Sequence, residues 1–168
     1  MPTVDELRNH LGELRNWYFA ASTERRYKVA ISRLQGPPSL LDALLQHLTV
    51  IEGFARSVAL DLERKGGAEA GEAYSRLRYL GSVPLLRDHV SKKLNRTPED
   101  LFGRDAWEVF VLAIDYRNFV VHEAATIRGD HCAQLLSGCR QMLAKLANVA
   151  DIVNAYQKLI LSASSSVV

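Results

Sequence analysis

The chain contains little from which a cross-linked or metal-bound scaffold could be built. Its 168 residues include only two cysteines, Cys132 and Cys139. Seven positions apart in a strongly helical stretch, they share a helix face but lie too far along its axis for a disulfide. No CxxC pair is present, so a zinc site has no ligand pattern to start from. Two small buried thiols in a reducing compartment are the simpler expectation. Charge of one sign is missing as well: 21 basic side chains face 19 acidic ones, a net charge of +2. That balance is too even for bulk charge to point to a polyanion, although a sequence pI of 8.6 leaves room for a local basic surface. Long apolar runs are absent too. The longest, Val109 to Ile114, falls far short of the roughly 20 residues that cross a bilayer, so no membrane partner is expected. Asp5, Glu6 and Arg8 stand where an export signal would need its apolar core, which favours a cytoplasmic protein. The phosphate loops GxxxxGK[ST] and GxGxxG, the HExxH and GxSxG patterns and any Cys/His cluster are likewise missing. With them go the common nucleotide-binding, zinc-hydrolase and serine-hydrolase classes, and neither a cofactor nor a metal is expected.

What the sequence does contain is helix. Apolar residues make up 48 % of it, enough for a real core. They recur at three and four positions between sparse prolines and glycines. Leu7, Leu11, Leu14, Tyr18, Val29, Ala30 and Leu34 predict one long or once-broken amphipathic helix from about Val4 to Leu34, stopped by Gly36-Pro37-Pro38. Ser39 can cap a second helix, with Asp42 in its first turn, a buried stripe from Leu41 to Leu62, and Arg64, Lys65 and Gly66-Gly67 at its end. Glu69 to Tyr79 and Leu85 to Leu94 read as short helices, separated by breaks at Gly81 and Pro84. Thr97-Pro98-Glu99-Asp100 is a helix start. From about Arg104, Trp107, Phe110, Val111, Ile114, Asn118 and Val121 share one face, and Gly129-Asp130 opens the last helix. The tail after about Leu161 is serine-rich and expected to fray. Alternating strand patterns, repeats and linkers are absent. One all-α domain over residues 1–168, a bundle of four or five helices, is the expected architecture.

Within it one segment concentrates polar chemistry among hydrophobes: Asp115-Tyr116-Arg117-Asn118-Phe119-Val120-Val121-His122-Glu123, at the end of the most apolar helix. Arg117 offers a permanent planar cation for a phosphate. Asn118 offers a donor and an acceptor. His122 can give or take a proton near neutral pH. Each residue taken singly has an ordinary structural role, as a surface ion pair of Arg117 with Asp115 or Glu123, a buried amide, or a helix-end histidine. On a regular helix Arg117 and His122 diverge by roughly 140°, whereas Asn118 and His122 share a face. A working phosphate site therefore needs either local unwinding near His122 or a second copy of the segment.

This segment resembles the R-x4-6-H motif of the HEPN superfamily, in the form that carries a polar residue directly after the arginine. The apolar lead-in, the valines before His122, and the long helix containing Ile51-Glu52-Gly53-Phe54 are also similar, and lie nearest the RNA-ligase-associated and defence-linked subgroups. The resemblance spans the chain in architecture but only Asp115 to Glu123 in residue detail. It implies a homodimer with two motifs lining one cleft, and RNA as substrate. It also implies metal-independent endoribonuclease chemistry through Arg117, Asn118 and His122, in a toxin or phage-defence role with an antitoxin or other partner protein encoded elsewhere. The tyrosine that one HEPN subgroup carries two residues after the histidine is replaced by Ala124, so its antitoxin modification scheme is not implied. Some family members are binding modules only, and a non-catalytic helical dimer that binds RNA, a nucleotide or a partner protein is the alternative reading. Two stretches, Arg25-Arg26-Tyr27-Lys28 and Arg76-Leu77-Arg78-Tyr79, mix cations with an aromatic as RNA-contact surfaces do. Solvated helix faces explain Arg25, Arg26, Lys28, Arg76 and Arg78 equally well.

Overall fold

The computed structural model describes residue 16 and residues 19–32, 39–123, 127 and 129–164, with the backbone alone for 29–32, 119, 123 and 152–164. Among the described residues every regular element is helical. Of the two readings of residues 4–34, one long helix or one broken once, the described residues fit the second, with a break at Ala21 and Ser22 before α1 runs Thr23–Ser32. Ser22 makes the restart possible, because its Oγ accepts the Arg25 N–H at 3.2 Å and satisfies an otherwise orphaned donor of the first turn. The stretches 1–15 and 33–38, with the expected stop at Gly36-Pro37-Pro38, lie outside the described residues.

Helix α2, Leu40–Lys65, is the central element. It is capped as the sequence suggests: Ser39 Oγ accepts from the Asp42 N–H at 3.1 Å, and Gly66 closes the far end, followed by Gly67 at φ 91°. Leu44, Leu48, Ile51, Val58 and Leu60 are essentially inaccessible along it. α1 is pinned to α2 by a buried polar network. Arg26 donates to Asp61 Oδ1 at 2.7 Å and to the Ala21 carbonyl at 2.7 Å. Its Nε reaches Ser57 Oγ, and Thr23 Oγ1 donates to Asp61 Oδ2. Beside this network the Tyr27 ring packs on Phe54, with centroids 4.5 Å apart.

Short helix α3, Ala70–Leu77, begins at Glu69, whose carboxylate accepts the Glu72 N–H at 2.9 Å. Its far end is held by Arg56, which donates to the carbonyls of Leu77 at 3.5 Å and Leu80 at 3.1 Å while pairing with Glu52 at 2.9 Å. Next come one α-turn, α4 (Ser82–Pro84), and a π-helical segment, Leu85–Ser91. Two expectations change here. Pro84 does not break the helix, because it sits in the first turn, where a missing N–H costs nothing. The helix expected over 85–94 is also wound more widely than an α-helix. Its buried residues are Leu85, Leu86, Val90 and Ser91. These pair at a spacing of five, which the i→i+5 bonds of a π-helix bring to one side.

Helix α5, Pro98–Phe102, has the full capping box between Thr97 and Asp100 and ends at Gly103, φ 75°. It leads into α6, Arg104–Glu123, and after the 124–128 connection α7 runs Gly129–Ser164. The helical backbone thus continues into the serine-rich stretch as far as Ser164, and residues 165–168, the rest of the tail expected to fray, lie outside the described residues. Phe102, Trp107 and Phe110 form an aromatic ladder with centroid separations of 5.9 and 5.8 Å. α6 and α7 are antiparallel: Gly138 lies against Val109, and Lys145 against Gly103. A Cβ added at Gly138 would fall on the Val109 side chain, so glycine is what permits this close approach. α7 in turn packs along α2 and closes the core with Cys139, Met142 and Leu146. Both cysteines are free and buried, and burial pushes the Cys139 thiol up to about 12.

Candidate functional site

The motif residues all stand on α6, whose α-helical backbone is continuous from Arg104 to Glu123. Of the two ways of bringing Arg117 and His122 together, local unwinding is therefore not present in the described helix. Five residues apart, the two side chains remain roughly 140° apart in azimuth and about 7.5 Å apart in rise. Asn118 and His122, four apart, share the neighbouring face, and both are exposed.

Arg117 occupies an unusual place. Seven residues after Phe110, it falls within about 20° of that ring's azimuth. The same stripe holds Ala106, Phe110 and Ala113, which are 5 %, 0 % and 0 % exposed. A position continuing the core stripe would ordinarily be apolar, yet it holds a half-buried arginine. Among the described residues, no side-chain hydrogen bond or ion pair engages Arg117, Asn118 or His122. Of the two surface pairs that would make Arg117 an ordinary solvated cation, the one with Asp115 does not form, and the one with Glu123 falls on a side chain outside the described residues. Val121 lies on the same stripe one turn further on and is 56 % exposed. The buried side of α6 thus runs past the end of the core and emerges carrying Arg117 and Val121, with Asn118 and His122 beside it. Phe119 and Glu123 belong to the motif segment, but their side chains lie outside the described residues.

The opposite side of α6 is different in character. Leu112 and Tyr116 are exposed there at 52 % and 36 %. Asp105, Glu108 and Asp115 flank them. Seven residues after Asp115, His122 falls within about 20° of that carboxylate's azimuth, so it borders this acidic side while Arg117 stands on the other.

The helix expected to face the motif is α2, and α6 does touch it, but the main partner of α6 is α7. Glu52, on the helix that resembles its counterpart in the family, is turned to Arg56 and α3 instead. The two basic stretches separate. Arg26 is 5 % exposed and saturated by the α1–α2 network, so it is scaffold rather than ligand-binding surface. Tyr27 is spent on Phe54, and Lys28 is exposed but paired with Glu24 at 2.7 Å. Arg25 is exposed. In contrast, Arg76 and Arg78 are on the surface, and Tyr79 beside them is 77 % exposed. Sequence reading missed the polar cluster around Glu63, where His89 Nδ1 (3.4 Å), Lys93 Nζ (3.5 Å) and Arg76 (3.7 Å) converge. No local pattern could have signalled it, because its members come from three elements up to 30 positions apart.

No family model matches the chain, and neither a curated protein nor a solved structure does.

Proposed function

We propose that this protein is a homodimeric, metal-independent endoribonuclease of the HEPN type, with Arg117, Asn118 and His122 as its catalytic residues. The observation that carries this reading is the Arg117 position: a permanent cation, without an internal partner among the described residues, where the core stripe of α6 surfaces beside an exposed asparagine and histidine. A fold selected for stability alone has no use for that arrangement. Because α6 is regular through His122, one copy cannot aim Arg117 and His122 at the same phosphate. Two copies related by a two-fold axis can, and Val121 supplies apolar surface for them to bury.

In the shared cleft the 2′-hydroxyl of RNA attacks the adjacent phosphorus as one histidine accepts its proton. The P–O5′ bond breaks, the histidine of the other copy protonates the departing 5′-oxygen, and the products are a 2′,3′-cyclic phosphate and a 5′-hydroxyl. Arg117 stabilises the extra negative charge of the phosphorane, and Asn118 orients the phosphate or the imidazole. DNA lacks the nucleophile and is not cut by this route. Resemblance to defence-linked family members adds a toxin or phage-defence role, with a partner protein restraining it. The test is incubation of the purified protein with total RNA, with and without EDTA, followed by analysis of the product ends. Cleavage that survives EDTA and leaves cyclic phosphates supports the reading. A strict requirement for added magnesium, or RNA binding through the same cleft without cleavage, overturns it.

A further inference from the structure

Between α2 and α5 lies a second surface with the chemistry of nucleic-acid contact. Residues 63–96 carry eight lysines and arginines against four carboxylates, whereas α6 carries two against four. The excess is concentrated in space. Arg76 and Lys93 approach the same carboxylate oxygen of Glu63, at 3.7 and 3.5 Å, and pair with no other acid among the described residues. One positive charge there is left uncompensated, and Arg76 is 60 % and Lys93 42 % exposed. Three positions after Arg76 stands Tyr79, 77 % exposed and the most exposed of the large apolar side chains described. The Arg78 guanidinium lies 4.3 Å from its ring centroid, over one face. Such a ring contributes nothing to the core. It is held by a cation against one face, while the other is open to a planar group.

The position is fixed from below. Arg56, itself tied to Glu52, holds the carbonyls of Leu77 and Leu80 on either side of the Arg78-Tyr79 turn. A half-buried anchor therefore presents the exposed ring. The π-helical segment bearing His89 packs on α5, which leads directly into Arg104 of α6. His122 is 18 residues further along α6, about 27 Å.

We propose that Tyr79, Arg78, Arg76 and Lys93 form a docking surface for single-stranded RNA, on which a base stacks on the open face of Tyr79 while the cations contact the flanking phosphates. As a contact for the same substrate, it builds on the endoribonuclease reading, but it can stand or fall separately. Single-stranded rather than duplex RNA is the occupant, because only an unpaired base can splay onto a ring.

The experiment is fluorescence anisotropy of a labelled single-stranded 20-nucleotide RNA with the full-length His122→Ala protein, which removes turnover. Tyr79→Ala is expected to weaken binding about 5- to 100-fold, and Tyr79→Phe to restore it, because stacking needs the ring and not the hydroxyl. Arg76→Gln with Arg78→Gln is expected to lower the slope of log affinity against log salt by about 0.7 for each phosphate that is no longer neutralised. Duplex RNA of the same length is expected to show no Tyr79 dependence. Single-strand affinity unchanged by Tyr79→Ala, or equal Tyr79 dependence for duplex, overturns the docking surface and leaves the cleavage reading intact. Tyr79-dependent binding by a wild-type protein that cuts no RNA supports the surface and removes the cleavage reading.

Discussion

At the scale of single residues, the proposed chemistry rests on groups that the fold does not use for itself. His122→Ala is expected to abolish cleavage while leaving the helical circular-dichroism spectrum unchanged, since His122 is exposed and forms no side-chain hydrogen bond or ion pair among the described residues. Arg117→Ala is expected to cost about 10²–10³ in rate, the usual loss when one preorganised charge is withdrawn from a developing oxyanion. Arg117→Lys recovers part of it, because an ammonium is not a planar fork. Normal cleavage by His122→Ala would remove the assigned mechanism. His47 behaves oppositely. Burial holds it below the ordinary histidine value, against the raising effect of its 2.7 Å hydrogen bond to the Ala43 carbonyl and with help from nearby Arg140. Between that lowered value and the roughly 6.5 of an unfolded chain, the unfolded state binds more protons, so stability falls as pH drops below about 6.5. In urea titrations between pH 7 and pH 5, His47→Gln is expected to lose stability less steeply than wild type. Parallel pH profiles would show that His47 is not the group responsible.

At the scale of elements, the decisive contact is α6 on α7. Gly138 lets the two backbones close over Val109, and the antiparallel register that results carries the motif end of α6 toward Gly129. Gly138→Ala is expected to destabilise by about 1–3 kcal/mol in chemical denaturation, the range for overpacking a tight contact. Adding Val109→Ala should return part of that stability, making the pair non-additive. A Gly138→Ala protein as stable as wild type would mean that the helices do not approach this closely. The π-helical segment illustrates a different point. Its apolar residues at a spacing of five fit neither the three-and-four rule nor strand alternation, so sequence periodicity located a helix there but not its winding.

At the scale of the whole molecule, the proposed assembly rests on the divergence of Arg117 and His122 on an unbroken helix. A two-fold dimer is expected by light scattering at micromolar concentration. Val121→Glu, on the exposed end of the α6 stripe, is expected to shift it to monomer and to remove cleavage together with the dimer. A stable wild-type monomer that still cleaves RNA would require a different arrangement of the site.

The sequence by itself determined the helical class, the caps at Ser39 and Thr97, the stop at Gly66-Gly67, and the bounds of α6 and the start of α7. Each of these depends on residues within a few positions of one another, as helix hydrogen bonds and caps do. Arg117, Asn118 and His122 could be singled out as a candidate site for the same reason, being contained in six consecutive residues. Which basic stretch stays on the surface was decided only by tertiary structure. Arg26 and Arg76 sit in similar local sequences, yet Asp61 and Ser57, more than 30 positions away, draw the first into a buried network, while the second stays at the surface beside Glu63. Burial and long-range ion pairing depend on which helices become neighbours, and periodicity along one helix contains no record of that choice.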